Sequence, residues 1–410
     1  VVRDWTLCAG CILFISWGGS RTGIAPLFFP DVAGHALARL VGGVGIRAAM
    51  TNRRTPLYDW HVAHKARMVP FGGWDMPVQY AGIIDEHRAV RTAAGLFDVS
   101  HMARLSFEGP DALALLESVF TNSVATMKEG QVRYGLLCDD SGGILDDVLV
   151  YRLPDGYSMV ANASNREKVV AWLDRNAAAK NTQVHDQTET TALVAIQGPR
   201  SVDFVAGLFE TDVSALKYYF ATKTRYRGQD CLVSRTGYTG EDGFEVCVPN
   251  ELAVALCDEL TGRGAVPCGL GSRDTLRLEA AMPLYGHELT EAIDPIGAGL
   301  GWAVKLDKGE FVGRGPLLLA QEQIGRGPRR VGLELEGKRA AREGCAVVLG
   351  DGRAVGTITS GSYTPWLEKS LAMAYVEAAH ADVGTQIQVD IRGSKVAAKV
   401  VALPFYKRKK

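Results

Sequence analysis

Ser141-Gly142-Gly143-Ile144-Leu145-Asp146-Asp147-Val148-Leu149-Val150-Tyr151-Arg152-Leu153-Pro154-Asp155-Gly156 reads as one arm of a β-hairpin. The glycine pair turns the chain, the aliphatic run from Ile144 to Leu153 makes a strand, and Pro154-Asp155-Gly156 turns it back into a second run from Tyr157 to Val160. Side chains alternate along a strand. Asp146 is therefore expected beside Ile144 and Val148 on one face, and Asp147 beside Leu145 and Leu149 on the other. On this reading the two carboxylates cannot share one proton and have separate jobs. An ionised carboxylate among aliphatic neighbours is costly unless hydrogen-bonded or paired, so each is either a turn-capping residue or a functional one.

Working outward, helical spacing predicts helices over Ile83 to Ala94, Pro110 to Val119, Asn165 to Ala178 and Glu251 to Thr261. Short β-rich runs lie between them, at Leu193 to Ile196 and Phe244 to Val248. Helices and strands interleave without a regular βαβ rhythm, which predicts an α+β fold. Beyond a Gly/Pro/Arg stretch at Gly325 to Arg330 the pattern becomes all β, with strands expected at Arg330 to Leu335, Ala346 to Leu349, Ala354 to Thr359, Ser370 to Val376, Gln386 to Ile391 and Lys395 to Val401. The expected division is an N-terminal extension (1–50), a main region of two intertwined α+β units (51–328) and a barrel-like β unit (329–410).

The chain has 410 residues, 47% of them hydrophobic, enough to bury a substantial core. Its formal net charge of -1 provides no field to hold a nucleic-acid backbone or an anionic membrane, so neither is an expected partner. The cysteines are scattered, mostly in apolar stretches, as reduced thiols would be. The apolar run Leu7 to Trp17 is too short to span a bilayer, and Asp4 lies where a secretory leader would be basic. Cys8 and Cys11 lack the second ligand pair of a metal site. Gly43, Gly45 and Ala48 lack the strand and helix that a dinucleotide fingerprint requires. A chain start at Met50 implies a bacterial, cytoplasmic protein; a cleaved leader over residues 1–49 implies the mitochondrial matrix.

Two further segments carry chemistry. Ser234-Arg235-Thr236-Gly237-Tyr238-Thr239-Gly240-Glu241-Asp242-Gly243-Phe244-Glu245 packs three glycines around aromatic and acidic groups before entering a strand. There Phe244, Val246 and Val248 share one face and leave Glu245 on the other, toward ligand or solvent. Gly271-Ser272-Arg273-Asp274-Thr275-Leu276-Arg277-Leu278-Glu279 reads as a helix start with Ser272 as N-cap. That puts Arg273 in the first turn, where the helix dipole disfavours a cation unless an anionic or oxygen-rich partner is near.

These residues carry a family resemblance. Arg54-Thr-Pro-Leu-Tyr-Asp-Trp-His61, Phe71-Gly-Gly-Trp-Asp-Met-Pro77, Phe97-Asp-Val-Ser-His-Met102, Gly142-Gly-Ile-Leu-Asp-Asp147, Gly237-Tyr-Thr-Gly-Glu-Asp-Gly-Phe-Glu245, Arg273-Asp-Thr-Leu-Arg-Leu-Glu279, Gly299-Leu-Gly-Trp302 and Thr359-Ser-Gly-Ser-Tyr-Thr-Pro365 resemble, in order from about Thr51 to the C-terminus, the aminomethyltransferase (T-protein) of the glycine cleavage system. Ala103 and Gly297 depart from residues common in that family.

The resemblance implies a three-domain, cloverleaf-like α+β protein with a C-terminal β-barrel and a central folate cavity. It implies transfer of the methylene carbon of an aminomethyl group, carried on the dihydrolipoyl arm of H-protein, to tetrahydrofolate, with release of ammonia. No metal, flavin or nicotinamide is implied. Asp147 matches the family's catalytic aspartate, and Asp146 would then be structural. Glu245 and Arg273 match folate-binding positions, as do Met102, Tyr134, Val160, Asn162, Tyr218 and Tyr238 around the cavity. Arg342 matches an arginine position and, with the basic tail Lys407 to Lys410, is expected to face the H-protein. The alternatives are other folate-dependent demethylases or methyltransferases of this fold and a non-catalytic folate-binding iron–sulfur assembly protein. The latter carries a cysteine in the loop that here reads Arg235-Thr-Gly-Tyr238. A flavin-linked oxidising enzyme would need a dinucleotide domain that the leader is too short to hold.

Overall fold

A computed structural model describes residues 52–323 and 325–408, with the backbone of a two-residue ladder pairing Leu7–Cys8 with Cys11–Ile12. The side chains of Cys8 and Cys11, the Gly43 to Ala48 string and Met50 fall outside the described residues.

The hairpin read first lies in an antiparallel five-stranded sheet, ordered Gln183–Asp186, Ala103–Glu108, Gly156–Ala161, Ile144–Leu153, Val132–Cys138. Helices Ala112–Val119 and Arg166–Ala177 cover one face through Leu115, Leu116, Val169 and Trp172, which pack on Val148, Val150 and Met159. A six-stranded sheet follows, ordered Ala221–Tyr226, Gln229–Ser234, Gly243–Pro249, Thr191–Gln197, Gly95–Asp98, Val266–Pro267, with only the last pair parallel. Phe244, Val246 and Val248 pack against the helices Tyr58–Ala63, Ser201–Val205 and Ala253–Gly262 on its outer face. The inner faces of the two sheets meet each other: Met102 and Val160 of the first pack with Leu193 and Cys247 of the second, and Tyr151 and Leu149 pack with Leu232.

Residues 329–401 form a closed six-stranded barrel around Leu333, Val347, Ile358, Ala372 and Val389. The α+β class and the terminal barrel are as the pattern predicted. The strand Val132–Cys138 and the pair Ala221–Tyr226 and Gln229–Ser234 went unread, because their polar alternation is weak or interrupted.

Helix Leu270–Glu279 ties these parts together. Its N-cap is Gly269, not Ser272. The acceptor missing at Gly269 comes from the buried carboxylate of Glu86, which takes bonds from the Gly269 N–H at 2.9 Å and the Ser272 hydroxyl at 3.0 Å. At the other end Glu279, fully buried, accepts from His87 Nε2 (3.1 Å), from Nε and Nη2 of Arg91 (3.1 and 3.0 Å), and from the backbone N–H of Trp366 and Leu367 in the barrel (3.2 and 3.3 Å). Arg277 joins Glu288 at 2.9 Å and the barrel hydroxyl of Ser360 at 2.8 Å. Replacing Glu279 with Ala leaves Arg91 and His87 buried with fewer acceptors, and is expected to cost about 3–5 kcal/mol. Urea unfolding measures this; a loss below about 1 kcal/mol, the scale of a surface pair, would mean that the cluster does not hold the helix to the barrel.

Candidate active site

The inner face of the first sheet can be read across its ladder. Ala103 pairs with Ala161, Val160 with Leu149, and Leu149 with Tyr134, so opposed residues share a face. Arg104, Val160, Leu149 and Tyr134 make one row, and the next row continues through Met102, Asn162 and Asp147. Tyr134 donates its hydroxyl to Asp147 Oδ2 at 3.2 Å and stacks on Trp302, ring centres 5.4 Å apart.

The turn that starts this strand depends on two glycines for different reasons. Gly142 sits at φ 86°, and a side chain on Gly143 would run into the Glu291 carbonyl at 2.0 Å. A bulge follows, in which Ile144 faces Cys138 and Asp146 faces Leu137, leaving Leu145 extra. Asp146 points to the helix-covered side, where its fully buried carboxylate holds the start of helix Arg166–Ala177 through Asn165 Nδ2 (2.6 Å) and the Asn162 N–H (2.9 Å). The faces of the two aspartates are thus as expected, but their independence is not. Asn162 Nδ2 donates to Asp146 Oδ1 and to Asp147 Oδ1, each at 2.8 Å. The expectation of separate environments is corrected: strand alternation separates the side chains, and an amide at the strand edge rejoins them.

The second sheet supplies the opposite wall. Glu245 pairs in register with Ala195 and Ser234, and turns inward away from Phe244 and Val246. The Thr236 hydroxyl donates to its Oε2. The preceding loop is wrapped on the fully buried amide of Gln197, which donates to Thr236 O at 3.0 Å and accepts from the Thr239 hydroxyl at 3.0 Å. Side chains on Gly237 or Gly243 would occupy the space of that amide, at 1.9 and 2.3 Å. Tyr238 donates to the Pro283 carbonyl, and Arg273 lies over its ring, 4.8 Å from the centre.

Arg273 and Glu245 are the two groups to note. Neither forms an ion pair with the other or with any other described residue, and the Arg273 guanidinium reaches no hydrogen-bond acceptor. Burial lowers its pKa, opposed by the charge of Glu245. Between the sheets, a cleft is lined by Arg104, Tyr151, Val160, Leu193, Leu232 and Glu245. Of the expected site residues, Glu245 and Val160 line this cleft; Met102 packs with Val160, Tyr134 and Asn162 bond to Asp147, and Arg273 lies on Tyr238. Tyr218 stands at its rim, 41% exposed, edge-on to Tyr219 and under Arg408. Arg342 is elsewhere, in the barrel, bonded to the Gly361 carbonyl. Within the tail, Arg408 pairs with Asp242 at 3.3 Å, while Lys409 and Lys410 lie outside the described residues.

The chain matches the GCVT N-terminal domain over residues 57–308 and the glycine cleavage T-protein C-terminal barrel domain over residues 329–407. The chain belongs to the glycine cleavage T-protein family, the aminomethyltransferases. Relatives named aminomethyltransferase include one from Streptomyces coelicolor, 49% identical over 87% of this chain and 98% of its own, and one from Rubrobacter xylanophilus, 48% identical over 88% and 96%. The crystal structure of glycine cleavage system aminomethyltransferase T from Bartonella henselae is 35% identical, with a TM-score of 0.83 over 87% of this chain and 98% of that one. The chain is accordingly an enzyme, a transferase of this family. Among the described residues no helix is long and apolar enough to cross a membrane, and no three His, Cys, Asp or Glu cluster as a metal site would need.

Sequence reasoning passed over three residues of this aminomethyltransferase-type interior. Gln197 shapes the glycine-rich loop from a neighbouring strand. Arg104 is buried and saturated by backbone carbonyls, among them Met102 O at 2.6 Å and Thr191 O at 2.7 Å, and its place two residues after Met102, near the start of a strand, was the available signal. His101 is 2% exposed, with Nδ1 unpartnered and its ring edge-on to Phe71 at 5.7 Å. Burial holds its pKa down, from 6.5 to about 3. The folded state therefore binds fewer protons than the unfolded one between those values. Stability is unaffected by His101 above about pH 6.5 and falls as pH drops below it, by up to about 1.4 kcal/mol per unit. NMR of the imidazole should show His101 neutral from pH 8 down to about 5; a midpoint near 6.5 would refute its dry environment.

Proposed function

We propose that the chain moves the methylene carbon of the aminomethyl group on the dihydrolipoyl arm of H-protein to tetrahydrofolate, forming 5,10-methylenetetrahydrofolate and releasing ammonia. The observation that carries this is the interior where an unpaired guanidinium, Arg273, and an inward carboxylate, Glu245, stand with the Tyr134–Asp147 contact. A flat, hydrogen-bonding heterocycle answers both unpaired groups. The donor edge of a pterin suits Glu245, its ring oxygen suits Arg273, and the faces of Tyr134 and Tyr238, with Met102 and Val160, pack on its rings. Tyr218 borders the outer part of the same ligand.

The chemistry balances without an oxidant or metal. Two bonds to the methylene carbon break, to sulfur and to the amine nitrogen, and two form, to N5 and N10 of the folate. The protons that N5 and N10 lose go to the thiolate and the departing amine. The intermediate is a cationic, iminium-like carbon, and Asp147 is placed to stabilise it and to accept a proton from N5. Burial of the cavity strengthens that interaction, and delivery of the lipoyl arm to N5 supplies the proximity.

Residues 51–328 act as the folate-binding region, 329–410 as the barrel and 1–50 as an extension. Arg342 and the tail cations form the contact with H-protein. The bacterial relatives favour a cytoplasmic site of action.

The deciding experiment combines ammonia release from loaded H-protein with calorimetry of tetrahydrofolate. Asp147→Asn should fold and bind folate while turnover falls by at least about 100-fold. Glu245→Gln should weaken folate binding by about 2 kcal/mol, roughly thirtyfold, with little effect on folding. Near-normal turnover of the first variant removes the carboxylate from the mechanism, and unchanged affinity of the second removes Glu245 from the pocket.

A further inference from the structure

We infer that Asp147 works as one member of a carboxylate pair with Asp146, joined by the side-chain amide of Asn162, and that the pair carries one proton in the working enzyme. Asp146 is on this view a positioning residue, not merely a structural one. The inference rests on the reading of Asp147 given above.

The geometry begins with one nitrogen. Asn162 Nδ2 has two hydrogens and three acceptors in reach: Asp146 Oδ1 at 2.8 Å, Asp147 Oδ1 at 2.8 Å and the Asp147 carbonyl at 3.3 Å. Two carboxylate oxygens on one amide nitrogen must lie close to each other. The groups facing them are all uncharged. Asn165 and the Asn162 N–H face Asp146 from the loop and helix beyond the sheet edge, and Tyr134 faces Asp147 from the neighbouring strand. Tyr219 and Tyr238 face Asp147 from the second sheet and its loop, and Tyr285 faces Asp146 from the segment after helix Leu270–Glu279. The phenols are kept protonated by burial. Lys168 reaches only the Tyr285 hydroxyl, at 2.8 Å, and is paired with Glu291 at 2.7 Å. Arg273 lies behind Tyr238. Neither aspartate has a cation within ion-pair distance among the described residues.

Two desolvated carboxylates that share one amide donor and have no cation beside them cannot both ionise cheaply, so the second proton is held well above the usual carboxylate range. Burial pushes both groups upward and the charge of Asp147 raises Asp146 further, against the lowering effect of the Asn162 amide. The consequence for transfer is that one site serves as acid and base together. As the folate N5–H bond breaks, Asp147 gains that proton. As the carbon–nitrogen bond of the aminomethyl group breaks, the pair gives a proton to the departing amine. The pair ends with the one proton it began with, and Asn162 remains bonded to both oxygens throughout.

The test is a titration of folded enzyme labelled with [γ-13C]aspartate, compared with Asp146→Asn and Asp147→Asn. In the parent protein the two carboxyl carbons should each register two steps, the upper displaced from the lower by more than about one pH unit. In either variant the remaining carboxyl should show one step, below the upper step of the parent. Should Asp146→Asn fail to fold, Asp147→Asn gives the same reading from the other member. The pH profile of kcat/KM supplies the functional readout: an alkaline limb at the upper step in the parent and its absence in Asp146→Asn, which a purely structural residue would not produce. A single Asp147 step unmoved by Asp146→Asn, an upper step unmoved in Asp147→Asn, or an alkaline limb that survives Asp146→Asn overturns the pair. Failure of the Asp147 assignment itself is distinguishable, because it shows as turnover retained in Asp147→Asn while the two-step titration persists.

Discussion

Helix Leu270–Glu279 is the constraint on which the rest of the molecule depends, because it is anchored at both ends by buried charge and carries Arg273, the proposed folate-binding residue, between. Glu86 fixes its first turn, and Glu279 fixes its last turn to helix Ile83–Thr92 and to the barrel. Arg277 adds the bond to Ser360. Buried ion pairs contribute little net stability compared with an apolar core, but leaving one partner unpaired is costly. Such a network therefore acts chiefly through what it forbids: the helix cannot shift by a turn without orphaning a charge. Arg273 is held at a fixed position relative to both sheets by bonds that it does not itself make.

The interior between the sheets shows the complementary principle. Some buried polar groups are fully satisfied: Asp98 accepts from Thr55, His61 and the Ser100 N–H at 2.7, 2.9 and 2.8 Å, which lowers its pKa to about 2 despite complete burial. Gln197 uses its amide fully on one loop. Around the cleft the accounts stay open, with Arg273 lacking any acceptor and the Asp146–Asp147 pair lacking any cation. Desolvated groups lacking partners are tolerated where a ligand supplies the missing one, so Arg273 on its helix and the aspartates on the first sheet are where the proposed ligand would find binding energy.

Much of the fold was legible in sequence, and what was not has physical causes. The strand Ile144–Leu153 was read to the residue because glycines precede it and Pro154 follows, both of which act locally on backbone angles. The last β strands were read nearly as well because Asp351-Gly352 and Arg392-Gly393 mark turns. Ser272 was misread as a cap because the acceptor that serves Gly269 belongs to Glu86, some 180 residues away in the chain. Alternation placed Glu245 on the face opposite Phe244, as observed, but did not say whether that face meets ligand or solvent. Neither alternation nor the resemblance disclosed that Asn162 bridges two aspartates, since that contact follows from the register of the ladder together with the chain path at its edge. Alternation is a property of one strand; bridging is a property of two.

Two desolvated arginines differ in how their donors are used. Arg104 lines the cleft and Arg273 lies over Tyr238, and burial lowers the pKa of each. Arg104 spends its donors on carbonyls of its own surroundings, at Ser100, Met102, Thr188 and Thr191, and so closes the edge of the first sheet over the interior. Arg273 has only the face of Tyr238 beneath it. A guanidinium saturated by backbone is a structural tie, whatever its proximity to a site; one that rests on an aromatic face with its edge unsatisfied retains its hydrogen-bonding capacity for something else. The distinction lies in acceptor count, not in burial or charge. On the proposed function, that leaves Arg273, on the helix that the surrounding ion pairs hold still, as the residue free for recognition.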